Sequence, residues 1–222
     1  LSSSAMAQQS HVVDPAAMRQ AIADQAARDY AAVVRDTSVA GPSRGSFYQA
    51  LVLVRFGRFT EVLTVPGPAG TAIQRGLGLF ARGYAHLKLN HADSAEAMLQ
   101  LVDSLARTTP DSIAFRGHTA RKLLGITGGI LRAELMQSRG AADSAIAVLA
   151  AAVALEDGLT YDEPEPLPFA ARHWLGAHLL EAGQPAEAEA VYRAELFDHP
   201  KNGWRLSGLS QALRAQHRTA QA

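Results

Sequence analysis

Apolar side chains recur along this chain at three- and four-residue spacings, the period of a helix with one buried face, and short polar turns interrupt the pattern. Asp14-Pro15 opens the first stretch as an N-cap acceptor followed by proline. Met18, Ile22, Ala26, Tyr30 and Val33 then share one side, which predicts a helix to about Arg35. Thr37 to Gly45, with Gly41-Pro42 inside it, reads as a loop. Beyond it, Gly57, Asn90, Gly140 and Gly183 each follow a helical stretch and can adopt the left-handed conformation that ends one. His217 is a degenerate fifth turn. Five residues after the four turns stand Val62, Ala95, Ala145 and Ala188; seven residues before them stand Ala50, Gly83, Ala133 and Gly176. Small residues facing each other across a tight turn let two helices approach closely, so the pattern predicts a row of helix pairs.

The turn-to-turn intervals are 33, 50, 43 and 34 residues, and the two long ones locate insertions. The first is Thr108 to Gly129, where Pro110-Asp111-Ser112 offers a helix start and predicts a helix over 112–137. Gly125, Gly128 and Gly129 fall inside it, which calls either for a close helix crossing or for a break near Thr127. The second is Asp157 to Pro168, whose prolines 164, 166 and 168 forbid a continuing helix and favour an extended connection. Pro66-Gly67-Pro68 makes a shorter break before the helix that holds Phe80.

The unit Leu175-Gly176, Leu179, Gly183, Ala188, Tyr192 and Pro200 has the spacing of a tetratricopeptide repeat, whose period is about 34 residues. With Tyr161-Asp162-Glu163-Pro164, Arg172, Ala186-Glu187-Ala188-Glu189, His199-Pro200, Asn202-Gly203-Trp204 and Gln211-Ala212-Leu213, the last sixty or so residues resemble the C-terminal part of a widespread group of bacterial tetratricopeptide-repeat proteins. Arg55-Phe56-Gly57-Arg58 and Ala81-Arg82-Gly83 extend the likeness weakly upstream. The resemblance implies a superhelix of helix pairs and a scaffold role, with no active site to carry over. It also suggests the C-terminal half of a longer family member. Where relatives carry a tryptophan-tyrosine-tyrosine run, this chain has Leu167-Pro168-Phe169, so an aromatic platform there is depleted.

Composition narrows the class further. Hydrophobic residues make up 48% of the 222 and aromatics only 6%, a balance that suits tightly packed helices. Lys plus Arg and Asp plus Glu both number 21, so no global field favours nucleic acid. The absence of cysteine excludes disulfides, zinc-thiolate sites and a cysteine nucleophile. The longest apolar run, Ala145 to Leu155, is well short of the roughly 20 residues that span a bilayer. Ala5-Met6-Ala7 has the form of a signal-peptidase site. If it is one, residues 1–13 hold the remnant of an export signal and the protein is periplasmic or exported; otherwise they are a frayed end and the protein is cytoplasmic. The expected organisation is one helical repeat domain over 14–218 and a tail at 219–222.

In such repeats the first helix of each pair lines the concave face. Counting from the small residue of each unit puts Arg44, Phe47, Arg55, Phe80, Tyr84, Lys88, Glu134, Gln137, His173, Glu181, Trp204, Gln211 and Arg214 there. Aromatic anchors with Arg and Lys between them suit a peptide. The alternative is that Phe47, Phe80 and Trp204 pack against neighbouring repeats. His86 with His91 and His173 with His178 stand five apart, which on a helix leaves their side chains on different faces and argues against a metal. Tyr161, Asp162, Glu163 and Glu165 read as a solvated helix lead-in. Gly76-Leu77-Gly78 with Ala81 matches a dinucleotide fingerprint by letters, but no strand precedes it. The chain therefore reads as an all-α, right-handed superhelix of about nine or ten helices. It is expected to be non-enzymatic, to need no cofactor, and to bind a protein or peptide through its concave face; the alternative is a structural subunit of a larger assembly, and a metal-dependent or acid-base enzyme is a third, more remote reading.

Overall fold

A computed structural model describes residues 46–163, 165–198 and 203–221. Arg44, the helix expected from Asp14, the loop before Gly45 and the proline at 200 lie outside the described residues. Among those described, the chain is all-helical but for one small hairpin. The helices are α1 (Ser46–Arg55), α2 (Phe59–Thr64), α3 (Ala72–Lys88), α4 (Ala92–Thr108), α5 (Ala120–Ser138), α6 (Ala142–Asp157), α7 (Ala171–Glu181), α8 (Pro185–Asp198) and α9 (Gly203–Ala215). Strands β1 (Ala114–Phe115) and β2 (His118–Thr119) pair antiparallel before α5, and a short 3₁₀ turn, Thr219–Gln221, ends the description.

The turns obey one local rule. Gly57, Asn90, Gly140, Gly183 and His217 have φ of 71°, 64°, 79°, 73° and 60°, the left-handed region. At each, two backbone bonds close the preceding helix: Asn90 N–H donates to Leu87 O at 3.0 Å and His91 N–H to His86 O at 2.8 Å, and the other four repeat this pair. These bonds satisfy carbonyls that a helix end leaves without partners. A reversal this short sets the second helix back along the first. The small residues of each pair go inside: Ala50 and Val62, Gly83 and Ala95, Ala133 and Ala145, and Gly176 and Ala188 are all buried. At Gly83 a Cβ would stand 2.9 Å from the Met98 Cβ and 2.7 Å from Leu131, closer than packed carbons tolerate.

Longer-range packing has two rows. The first helices of the pairs, α1, α3, α5, α7 and α9, pack on one another in succession, while each second helix packs on the first helices before and after it. Tyr192 of α8 locks the last pair to α9: its ring lies between Gly176 of α7 and Gly208 of α9, and a Cβ at either glycine would overlap it.

Two expectations need correction. The helix does not begin near Ser112. Residues 110–113 form a turn, Arg116 and Gly117 take φ of 53° and 84° in the hairpin, and Thr119 caps α5 by accepting from Lys122 N–H at 3.4 Å. Tertiary contact overrides the helix-start signal, because the hairpin presents the Phe115 ring to Phe47 at 5.7 Å. Once started, α5 runs unbroken through its glycines, and a Cβ on Gly129 would stand 3.1 Å from that of Ala152. These glycines serve close crossings.

The second correction concerns the proline-bearing insert between α6 and α7. Its acidic half is exposed apart from Asp162, which pairs with Arg116 at 2.5 Å. Its Leu167 and Phe169 are buried, with the Phe169 ring 5.8 Å from Phe80 and 5.1 Å from Trp174. Side chains of α1 hold the insert's backbone: Tyr48 donates to Pro166 O at 3.2 Å, and Arg55 donates to Pro168 O. Gly76 and Gly78, the letters of the dinucleotide fingerprint, lie inside α3 against Leu124 and Pro68.

Gly208→Ala should lower stability by about 1–3 kcal/mol through overpacking against Tyr192. Adding Tyr192→Leu, which removes the ring, should make the second change non-additive in urea denaturation; strictly additive losses would mean that Tyr192 is not the obstruction.

Candidate functional site

The row of first helices brings several expected residues together as one buried polar network. Glu134 of α5 is only 8% exposed and accepts from Lys88 of α3, while its other oxygen meets His178 Nε2 of α7 at 3.2 Å. Tyr84 completes the node: Trp174 Nε1 donates to its oxygen at 2.9 Å, and its hydroxyl bonds to Glu134. The Lys88 ammonium stands 5.3 Å over the Tyr84 ring. Burial pushes the Glu134 carboxyl up, but the His178 bond and Lys88 outweigh it and hold the group below the usual carboxylate range. Burial, then the Glu134 carboxylate, raises the Tyr84 hydroxyl far above the ordinary phenol value. The arrangement therefore fixes charges in place across three helices. Gln137 extends it by donating to Glu181 at 2.9 Å.

The aromatics expected to anchor a ligand are spent on the interior. Phe47 and Phe80 are buried, and Tyr84 is buried under Trp174 and Phe59. The cause is the insert, whose Phe169 occupies the space in front of Phe80. Lys88, Glu181, Trp204 and Arg214 keep exposed surface.

Beside the insert a cleft remains, with a cavity volume of about 290 Å³. Arg55 enters it from the end of α1, His173 from the first turn of α7 and Arg205 from the start of α9. Tyr48, Leu167 and Phe169 form apolar wall, and Glu165 contributes a carboxylate. Arg205 is 2% exposed and its Nε–H donates to His173 Nε2 at 3.2 Å, which assigns the His173 proton to Nδ1. Burial, then the nearby Arg205 charge, lowers the Arg55 guanidinium from its ordinary value against the opposing pull of Glu165. Phe56 and Trp204, the chain neighbours of Arg55 and Arg205, meet with rings 6.1 Å apart, so side chains of α1 and α9 are in contact. Of the expected residues the cleft gathers Arg55 and His173. Position counting missed Arg205 by one place; it did not select Tyr48 or Trp174, weighed His178 only as half of a metal pair, and noted Glu165 only as part of an acidic lead-in.

The histidine pairs behave differently from one another. His91 lies beyond the end of α3, and the turn brings its ring 5.8 Å from that of His86, so the helical-spacing argument does not hold for this pair. His173 and His178 face separate partners, Arg205 and Glu134. Among the described residues no group of three or more His, Asp or Glu is placed to hold a metal ion, and no described helix is long and apolar enough to cross a membrane. Comparison with protein-family models, curated proteins and solved structures finds no match to this chain.

Two outcomes are expected. Glu134→Gln, which keeps the shape and removes the charge, should cost about 1–3 kcal/mol in urea denaturation because Lys88 and His178 lose their acceptor; an unchanged midpoint would mean that the network contributes nothing to stability.

Acid should weaken the fold through other histidines. His118 is 2% exposed, its Nε2 is buried without a hydrogen-bond partner among the described residues, and burial lowers its pKa, with Asp162 opposing and Lys122 and Arg116 reinforcing. Burial, His91 and Arg82 lower His86 as well. A group whose folded pKa lies below its unfolded value of 6.5 leaves stability intact above that pH and removes it as pH falls below. The melting temperature should therefore fall between about pH 7 and pH 5, and less so in a His86→Gln/His118→Gln variant. A wild-type profile flat across that interval would contradict the assignment.

Proposed function

We propose that the chain is a non-enzymatic scaffold of the tetratricopeptide-repeat type, a right-handed superhelix of helix pairs related to the bacterial repeat proteins it resembles, that binds a protein or peptide partner on its inner face. The observation that carries this reading is the repetition itself. Five turns share one backbone geometry, four buried small-residue pairs follow at the same offset, and the first helices alone form a continuous row. A row of first helices is the surface such stacks offer to partners.

The partner's contacts fall on the parts of that face which the insert leaves open. Trp204 of α9 is 46% exposed, and Lys88, Glu181 and Arg214, also on first helices, keep exposed surface as well. An exposed Trp and charged side chains distributed along the same row suit a peptide better than a uniform apolar strip does.

A structural role in a larger assembly draws support from a different place. Leu101 of α4 and Leu155 of α6, on the second helices, are 49% and 37% exposed. A photo-crosslinking residue placed at Trp204 or Lys88, or at Leu101 or Leu155, separates the two readings in cells of the source organism. Discrete protein adducts from the inner positions alone are expected. Adducts from the outer positions alone would transfer the interaction to the outer face, and silence at all four would sink both readings.

A further inference from the structure

The cleft beside the insert differs in kind from a surface that takes a protein partner. At about 290 Å³ it is the size of a small-molecule pocket at the lower end of its usual range. Its walls combine the apolar side chains of Leu167 and Phe169 with two guanidinium groups, Arg55 and Arg205, and one carboxylate, Glu165. We propose that this cleft is a binding site for a small amphiphilic monocarboxylate, with the carboxylate on Arg55 and the apolar body against Leu167 and Phe169. The inference goes beyond the scaffold reading and does not depend on it.

Each part of the ligand follows from a part of the site. A guanidinium presents two parallel N–H donors that match the two oxygens of a carboxylate. Arg55 reaches the cleft from the last turn of α1, where it donates to the Pro168 carbonyl, a neutral acceptor that leaves its charge in place. Arg205 is nearly inaccessible and oriented by His173, so it acts as a fixed positive charge behind the site. Burial, then the Arg205 charge, lowers the affinity of Arg55 for its proton against the pull of Glu165, so the cleft sets two guanidinium groups against one carboxylate. Glu165 limits how negative a guest can be: one carboxylate in the lining repels a dianion more than a monoanion. The apolar walls oppose small, strongly hydrated anions and favour a guest with a hydrocarbon body.

Isothermal titration with sodium hexanoate tests this, with hexanamide and inorganic phosphate as comparison probes. Saturable hexanoate binding with a Kd of about 1 mM or tighter is expected, hexanamide being weaker by about tenfold or more. Arg55→Met should weaken hexanoate by about tenfold or more. Because Arg55 also holds the insert, a second variant reads the charge logic from the other side: Glu165→Gln should tighten hexanoate by about threefold or more, which loss of a structural contact would not do. Circular dichroism and melting without ligand confirm that each variant is folded. Equal binding of acid and amide, phosphate binding as tight as hexanoate, indifference to Glu165→Gln, or no heat up to about 10 mM would each overturn the proposal.

Discussion

Helices joined by a reversal of two or three residues have no choice but to lie side by side, and the distance between them is set by the bulk at their contact. In this chain that bulk is kept to glycine, alanine or valine on both helices of every described pair from Ala50 to Ala188. Gly83 shows how tight the limit is, since a single carbon there would collide with Met98 and Leu131 together. Close pairs are thin units, and thin units stack. Because the first helices pack on one another in succession, their row acquires a continuous face of its own. Every other feature of the molecule is arranged along that face.

A continuous row of helices needs something to fix its register, and the Glu134 node does so between α3, α5 and α7. A buried carboxylate is costly alone, and removing one partner of such a group is more damaging than never having built it. Here the charge is shared among Lys88, His178 and Tyr84, each from a neighbouring helix. The directionality of these bonds adds what apolar packing lacks, a preference for one alignment of the three helices. Tyr192 supplies the equivalent at the far end by steric means, wedged between two glycines.

Legibility in the sequence follows the range of the interaction involved. The turns at Gly57, Asn90, Gly140, Gly183 and His217 were readable because a left-handed residue after a helical stretch is a local signal. The small-residue pairs were readable because the turn fixes their offsets. The hairpin before α5 was not, since Pro110-Asp111-Ser112 is a sound helix start and only the distant Phe47 and Tyr48 favour the strand pair instead. The site suffered in the same way. Counting along the chain placed Phe80 and Tyr84 on the correct row, yet nothing local to them shows that Phe169 and Trp174, some ninety residues later, will cover them. Arg205, one place along from the tryptophan that counting chose, is the side chain buried in the cleft, while Trp204 is 46% exposed.

The two irregular intervals prove to be connected to one another. The hairpin from the first insertion sets Phe115 against Phe47 and Tyr48 of α1, and the insert before α7 hangs its backbone on Tyr48 and Arg55 of the same helix. Arg116 and Asp162 then join the insertions directly through two bonds of 2.5 and 2.6 Å. A partly exposed ion pair of this kind adds only about 0–1 kcal/mol, so the buried Leu167 and Phe169 carry the attachment and the pair selects its position. The added residues thus interrupt the repeat in sequence and complete it in space. They bring chain from the middle of the stack back to α1, across the row of first helices, and convert what would be an open trough into a bounded cleft. A trough discriminates ligands by shape along its length, whereas a bounded cleft with fixed guanidinium groups discriminates by size and charge. On the binding reading proposed above, the chemistry of this face is therefore set by the insertions more than by the helix pairs that display them.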